Sequence, residues 1–106
     1  MENKILSTIQ NFKASDPKSF EEKYTCGDCY VFAQALAKKF NGQVYYLAID
    51  NHFIAKISDI FYDIRGQISE EEIYECYLWE EYIDIEPLDA ARVEYYCIQG
   101  KKPIKL

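Results

Sequence analysis

Hydrophobic positions along the chain change their spacing several times, and each change predicts an element. Ile5, Leu6, Ile9 and Phe12 recur at three- and four-residue intervals, which predicts a short amphipathic helix over 2–12. Residues 14–18 hold Pro17 and read as a loop, and 20–24 show no decisive pattern. Thr25-Cys26-Gly27-Asp28 is turn chemistry, with Asp28 as the N-cap of a helix that starts at Cys29. Its apolar stripe is Cys29, Ala33, Leu36 and Phe40, with Phe32 beside it, and Asn41-Gly42 supplies the stop. Lys38 and Lys39 fall in the last turn, where cations suit the helix dipole. Residues 44–49 are an unbroken run of strand formers, and Asp50-Asn51 suits a two-residue turn. A second strand over 52–57, a Ser58-Asp59 turn and a third strand over 60–64 complete a meander that Gly66 ends. Ser69 before Glu70, Glu71 and Glu72 predicts a capped acidic helix running to about residue 81. Residues 82–85 read as a strand, and 88–98 as a final helix or strand. The fold class is α+β: the helix from Cys29 packs on a small antiparallel sheet.

Length and charge narrow the function. One domain spanning residues 1–106 fits the chain length. A net charge of −6 disfavours a nucleic-acid binder, which would show a basic patch. Eight of the 18 carboxylates fall between Ser69 and Glu86, as a solvated face or as a surface for a basic partner. No apolar stretch approaches a membrane span, and the first residues lack the apolar run of a signal peptide. The expected location is the cytoplasm, with no membrane partner and with reduced thiols. Four cysteines there are catalytic, metal-binding or buried rather than bridged.

The hairpin arithmetic singles out three residues. If Ser58-Asp59 is the loop, Ile57 faces Ile60, Ile54 faces Asp63 and His52 faces Arg65. His52 and Asp63 are then diagonal neighbours on one face, with Cβ atoms roughly 7 Å apart or less, a gap that an imidazole and a carboxylate close. If the Cys29 helix covers that same face, thiol, imidazole and carboxylate line up. The histidine takes the thiol proton, and the carboxylate fixes the tautomer and steadies the imidazolium. A helix N-terminus and an imidazolium both favour thiolate, while the charge of Asp28 opposes it. The Cys29 amide is a candidate oxyanion donor. His52 is the sole histidine, so any histidine base must be this one.

Gly27-Asp28-Cys29 leading a helix, His52 opening a strand and Tyr62-Asp63-Ile64-Arg65-Gly66 ending the next together resemble the papain-like and transglutaminase-like cysteine enzymes, particularly small phage-encoded members. The resemblance covers roughly 26–66. It implies a cysteine protease, amidase or acyltransferase with a Cys29–His52–Asp63 triad, acting on a protein or peptide substrate without metal or organic cofactor. Tyr24 and Thr25 are candidates for the side chain that completes the oxyanion hole. Other readings remain open. Cys26-x-x-Cys29 is also a zinc or redox spacing, although Cys76 and Cys97 stand isolated as further ligands. A non-catalytic acidic binding module, such as a phage inhibitor of a host protein, is the alternative function, with tyrosines suited to an interface.

Overall fold

The structure is a computed structural model that describes residues 2–106, the Cys26 side chain excepted. Three helices come first: α1 (Glu2–Lys13), α2 (Pro17–Cys26) and α3 (Cys29–Phe40). The meander follows as β1 (Gln43–Leu47), β2 (His52–Ile57), β3 (Ile60–Asp63) and the short β4 (Gly66–Gln67). A 3-10 turn at Glu70–Glu72 leads to β5 (Cys76–Leu78), then to α4 (Trp79–Ile85), α5 (Pro87–Val93) and a wide π-type turn at Glu94–Ile98. The sheet is antiparallel, in the order β4-β3-β2-β1-β5.

Where neighbours in sequence decide the structure, the expected elements form. Helix α3 has the bounds its stripe predicts and ends on Asn41, which is left-handed at φ 59°. Gly42 follows because the chain passes close to β2: a Cβ there would fall on the Lys56 carbonyl oxygen and the Ile57 side chain. Ser58 and Asp59 both take positive φ, 50° and 68°, the backbone of a two-residue hairpin turn. Ile57 duly pairs with Ile60.

Several expectations are corrected. Residues 14–18 are not simply loop, because Asp16 caps α2 and Pro17 is its first residue, where a missing N–H costs nothing. Strand β1 stops at Leu47, which pairs with His52, so a four-residue loop replaces the Asp50-Asn51 turn. The predicted acidic helix is only the turn capped by Ser69; Glu75 then adopts φ 49° and the chain reverses. Cys76, Tyr77 and Leu78 instead pair with the open edge of β1. The 82–85 stretch is helix, and Pro87 starts α5 by forcing Glu86 out of helical geometry.

Strand alternation sends Phe53, Ala55, Ile57 and Tyr62 to one face, where they pack with Phe32, Ala33, Leu36 and Ala37 of α3. Trp79 and Tyr82 of α4 and Ala90 and Val93 of α5 join that face through Tyr46 and Phe53. Ile54 points the other way, into a smaller cluster with Leu47 and Ile68. The helices thus lie on one side of the sheet, an α+β arrangement, and the 68–76 segment covers part of the other. Lys13 ties the layers together, donating to Glu21 at 2.6 Å and to the Ile64 carbonyl at 2.9 Å. Among the described residues, no helix is long and apolar enough to cross a membrane.

Candidate functional site

His52 opens β2 and Asp63 closes β3, so both stand at the same end of the sheet, on the Ile54 face. The sequence reading needed α3 to cover that face, but α3 covers the opposite one. The three residues still meet, because Cys29 is the first residue of α3 and His52 is at the sheet's rim rather than within it. The imidazole lies close enough to Cys29 for the sulfur to act on its titration, and its Nε2 lies 3.0 Å from Asp63 Oδ2. All three are enclosed, with 4%, 7% and 2% of Cys29, His52 and Asp63 exposed.

The electrostatics follow from burial and partners. Desolvation alone would lower the His52 pKa. The hydrogen bond with Asp63, the Cys29 sulfur beside the ring and the negative charge on both outweigh it, raising the value to about 9. Desolvation would raise Asp63, but the hydrogen bonds from His52 and Arg65 hold its carboxyl below the usual range. Asp63 is therefore an acceptor at neutral pH, His52 Nε2–H donates to it, and the nitrogen left for Cys29 is Nδ1.

Arg65 is the residue that sequence reasoning undervalued. Its backbone N–H donates to Asp63 Oδ1 at 2.8 Å, and its guanidinium donates to Oδ2 from Nη2 at 2.6 Å and from Nε at 3.0 Å. The carboxylate is thereby locked in place, in a fork geometry only arginine offers. The signal was present: Asp63-x-Arg65-Gly66 is a two-residue connection between β3 and β4, with Gly66 at φ 117°. The expected register had set Arg65 directly opposite His52, whereas the chain turns after Asp63, before that pairing is reached.

Asp28 precedes α3 but does not cap it with its side chain. Its carboxylate instead accepts from Lys101 Nζ at 2.7 Å, and the same ammonium donates to the Gly27 carbonyl. Lys101 thus offsets the negative charge next to Cys29, and the first N–H groups of α3 are left without a side-chain cap. The loop before His52 is held by Asn51, which accepts from Tyr46 Oη at 2.6 Å and donates to Cys97 Sγ at 3.9 Å. Cys97, isolated in sequence, packs against the cluster that contains Cys29.

The remaining candidates separate. Tyr24 is buried against Phe12 and Phe32, as a packing residue. The Thr25 hydroxyl donates to the Glu21 carbonyl at 2.7 Å, and Thr25 stands on the rim of an open depression of about 220 Å³ beside His52. Leu47 and Ile68 give it an apolar lining, and Asp50, Arg65 and Glu72 also line it. Cys26, the other half of the C-x-x-C spacing, has its side chain outside the described residues. Among those described, no three His, Cys, Asp or Glu side chains are grouped to hold a metal ion.

Comparison with curated proteins gives no match, and neither does comparison with solved structures. The model of one family, described as phage YunG-like protein, matches residues 5–102. This overturns the resemblance to the papain-like and transglutaminase-like enzymes, which rested on 26–66 alone. A helix followed by a hairpin supplies that order of residues locally, whereas the family match runs from α1 past the final turn. The chain belongs to the phage YunG-like protein family.

Proposed function

We propose that this protein is a cysteine-nucleophile acyl-transfer enzyme in which Cys29 attacks the carbonyl of an amide or ester in a protein or peptide substrate. The observation that carries the reading is the enclosed cluster of Cys29, His52 and Asp63, in which His52 is bonded to Asp63 at 3.0 Å and Cys29 stands beside the imidazole. Cys29 sulfur forms a bond to the carbonyl carbon, and the oxygen that gains charge faces the uncapped N–H groups at the start of α3. His52 Nδ1 takes the thiol proton as that bond forms and gives it to the leaving amine or alcohol as the C–N or C–O bond breaks. Asp63, fixed by Arg65, keeps the ring oriented and its charge balanced. Water or an amine, deprotonated by the now neutral imidazole, then releases the acyl group from the thioester.

The test is acylation by p-nitrophenyl acetate. A burst of nitrophenolate stoichiometric with protein is expected, with one acetyl group on the Cys29 peptide. Cys29→Ala should fold and lose the burst. A burst that survives in Cys29→Ala, or an acetyl group that maps to another residue, would defeat the assignment.

A second reading, a non-catalytic binding module, draws on the exposed apolar side chains Leu88, Tyr95 and Tyr96 standing among carboxylates. Under it, Cys29→Ala would keep the full biological effect, and charge reversal at Glu70, Glu71 and Glu72 would abolish it.

A further inference from the structure

We propose that the group delivered to Cys29 carries a basic aliphatic side chain, of lysine type, next to the reacting carbonyl. This rests on the acyl-transfer reading and adds the substrate class. The depression beside His52 opens on the face of the sheet that the helices leave uncovered, at the end where α3 begins. Buried Leu47 and Ile68 give it an apolar lining next to His52, while the carboxylates of Asp50 and Glu72, which also line it, are exposed. Apolar lining and exposed carboxylates match a methylene stem with a cationic head, since such side chains bury the stem and keep the head near water.

Charge balance supports the same class of ligand. At the depression and the site beside it, the carboxylates of Asp50, Glu72 and Asp63 outnumber the Arg65 guanidinium and the His52 imidazolium by three to two. The surplus is negative, and it grows by one when His52 is neutral. Arg65 is committed to Asp63 at 2.6 Å and only approaches Glu72, at 3.8 Å, so it is poorly placed to attract an anionic substrate. The net charge of −6 on the chain steers cations in the same direction.

The experiment compares p-nitrophenyl esters of Nα-blocked lysine, norleucine and glutamate, reading the rate at which each acylates Cys29. Lysine and norleucine share the stem and differ in the charged head. Two partly exposed carboxylates should favour lysine over norleucine by about ten-fold at low salt, with glutamate slowest. The preference should shrink as salt rises. Asp50→Asn combined with Glu72→Gln should bring the lysine-to-norleucine ratio close to one. Glu80→Gln with Glu81→Gln makes the same change in net charge on α4 and should preserve the ratio. A ratio near or below one in the unaltered protein overturns the inference while leaving the acyl-transfer reading intact. So does a ratio that survives Asp50→Asn/Glu72→Gln or collapses equally in the α4 control. No acylation of Cys29 by any of the three esters refutes the proposed function itself, and this inference with it.

Discussion

Asp63→Asn is the sharpest probe of the site, because it keeps shape and removes charge. The Asp63 carboxylate is 2% exposed and accepts from His52 Nε2, from the Arg65 backbone and from two guanidinium nitrogens. A carboxamide has one acceptor oxygen: placed at Oδ2 it loses the bond from the Arg65 backbone N–H, placed at Oδ1 it loses those from His52 and the guanidinium, and in both cases the negative charge goes with them. Charge-assisted bonds contribute about 1.5–3 kcal/mol each, but the Arg65 side chain is 48% exposed and regains water when released. A net loss of about 2–3 kcal/mol follows, below the 3–5 kcal/mol typical of a fully buried broken pair. For a domain of this size that is a fall in Tm of roughly 10 °C or more. The second effect is on His52. Without the bond and charge of Asp63, desolvation is opposed only by Cys29, and the imidazole pKa moves down from about 9. Thermal unfolding followed by circular dichroism at pH 7 reads the first effect. The pH profile of iodoacetamide reaction at Cys29 reads the second, and its inflection should change in the variant. An unchanged Tm together with an unchanged profile would refute the account of Asp63 as the anchor of the site.

The other predictions concern backbone, pH and thiol reactivity. Gly42→Ala places a methyl group against the Lys56 carbonyl and Ile57, and should destabilise by about 1–3 kcal/mol in urea unfolding; no loss would mean the chain does not pass that close. His52 has a folded pKa raised from 6.5 to about 9, so its contribution to stability is complete below pH 6.5 and is lost as pH rises through about 9. Asp63 has a lowered pKa, so its contribution is complete above its ordinary value of 3.8 and is lost as pH falls through the lowered one. Urea midpoints should therefore be flat between these limits and fall on both sides, and His52→Gln should flatten the alkaline limb. Burial pushes the Cys76 thiol up, and burial with the charge of Cys29 pushes Cys97 up. Limiting iodoacetamide near pH 7 should thus label Cys29 before either of them, and His52→Ala should remove that lead; first labelling at Cys76 or Cys97 would count against Cys29 as the nucleophile.

Much of this site was legible because its parts are set by residues close in sequence. The period of Cys29, Ala33, Leu36 and Phe40, with the Asn41-Gly42 stop, determines α3, since helical contacts reach only three or four residues along the chain. The length of the Ser58-Asp59 loop determines that Ile57 meets Ile60, and so that His52 and Asp63 share a face. Those two local facts, joined to the supposition that α3 covers the His52 face, nominated Cys29, His52 and Asp63, and the supposition fails because α3 covers the other face. What no local pattern carried was decided by packing between distant segments. The acidic run after Ser69 has the composition of a helix start, yet Cys76–Leu78 becomes a strand because β1 offers unpaired backbone groups whose pairing outweighs propensity. The N-terminal helices take the Phe53 face because Ala55, Ile57 and Tyr62 offer them the larger apolar surface, so Cys29 meets His52 at the sheet's rim instead of across its surface. Lys101 reaches Asp28 across 73 residues, and Arg65 turns back on Asp63 only because β4 closes the hairpin behind it. Charge partners of this kind depend on where the folded chain brings its ends and edges, and only the tertiary structure decides that.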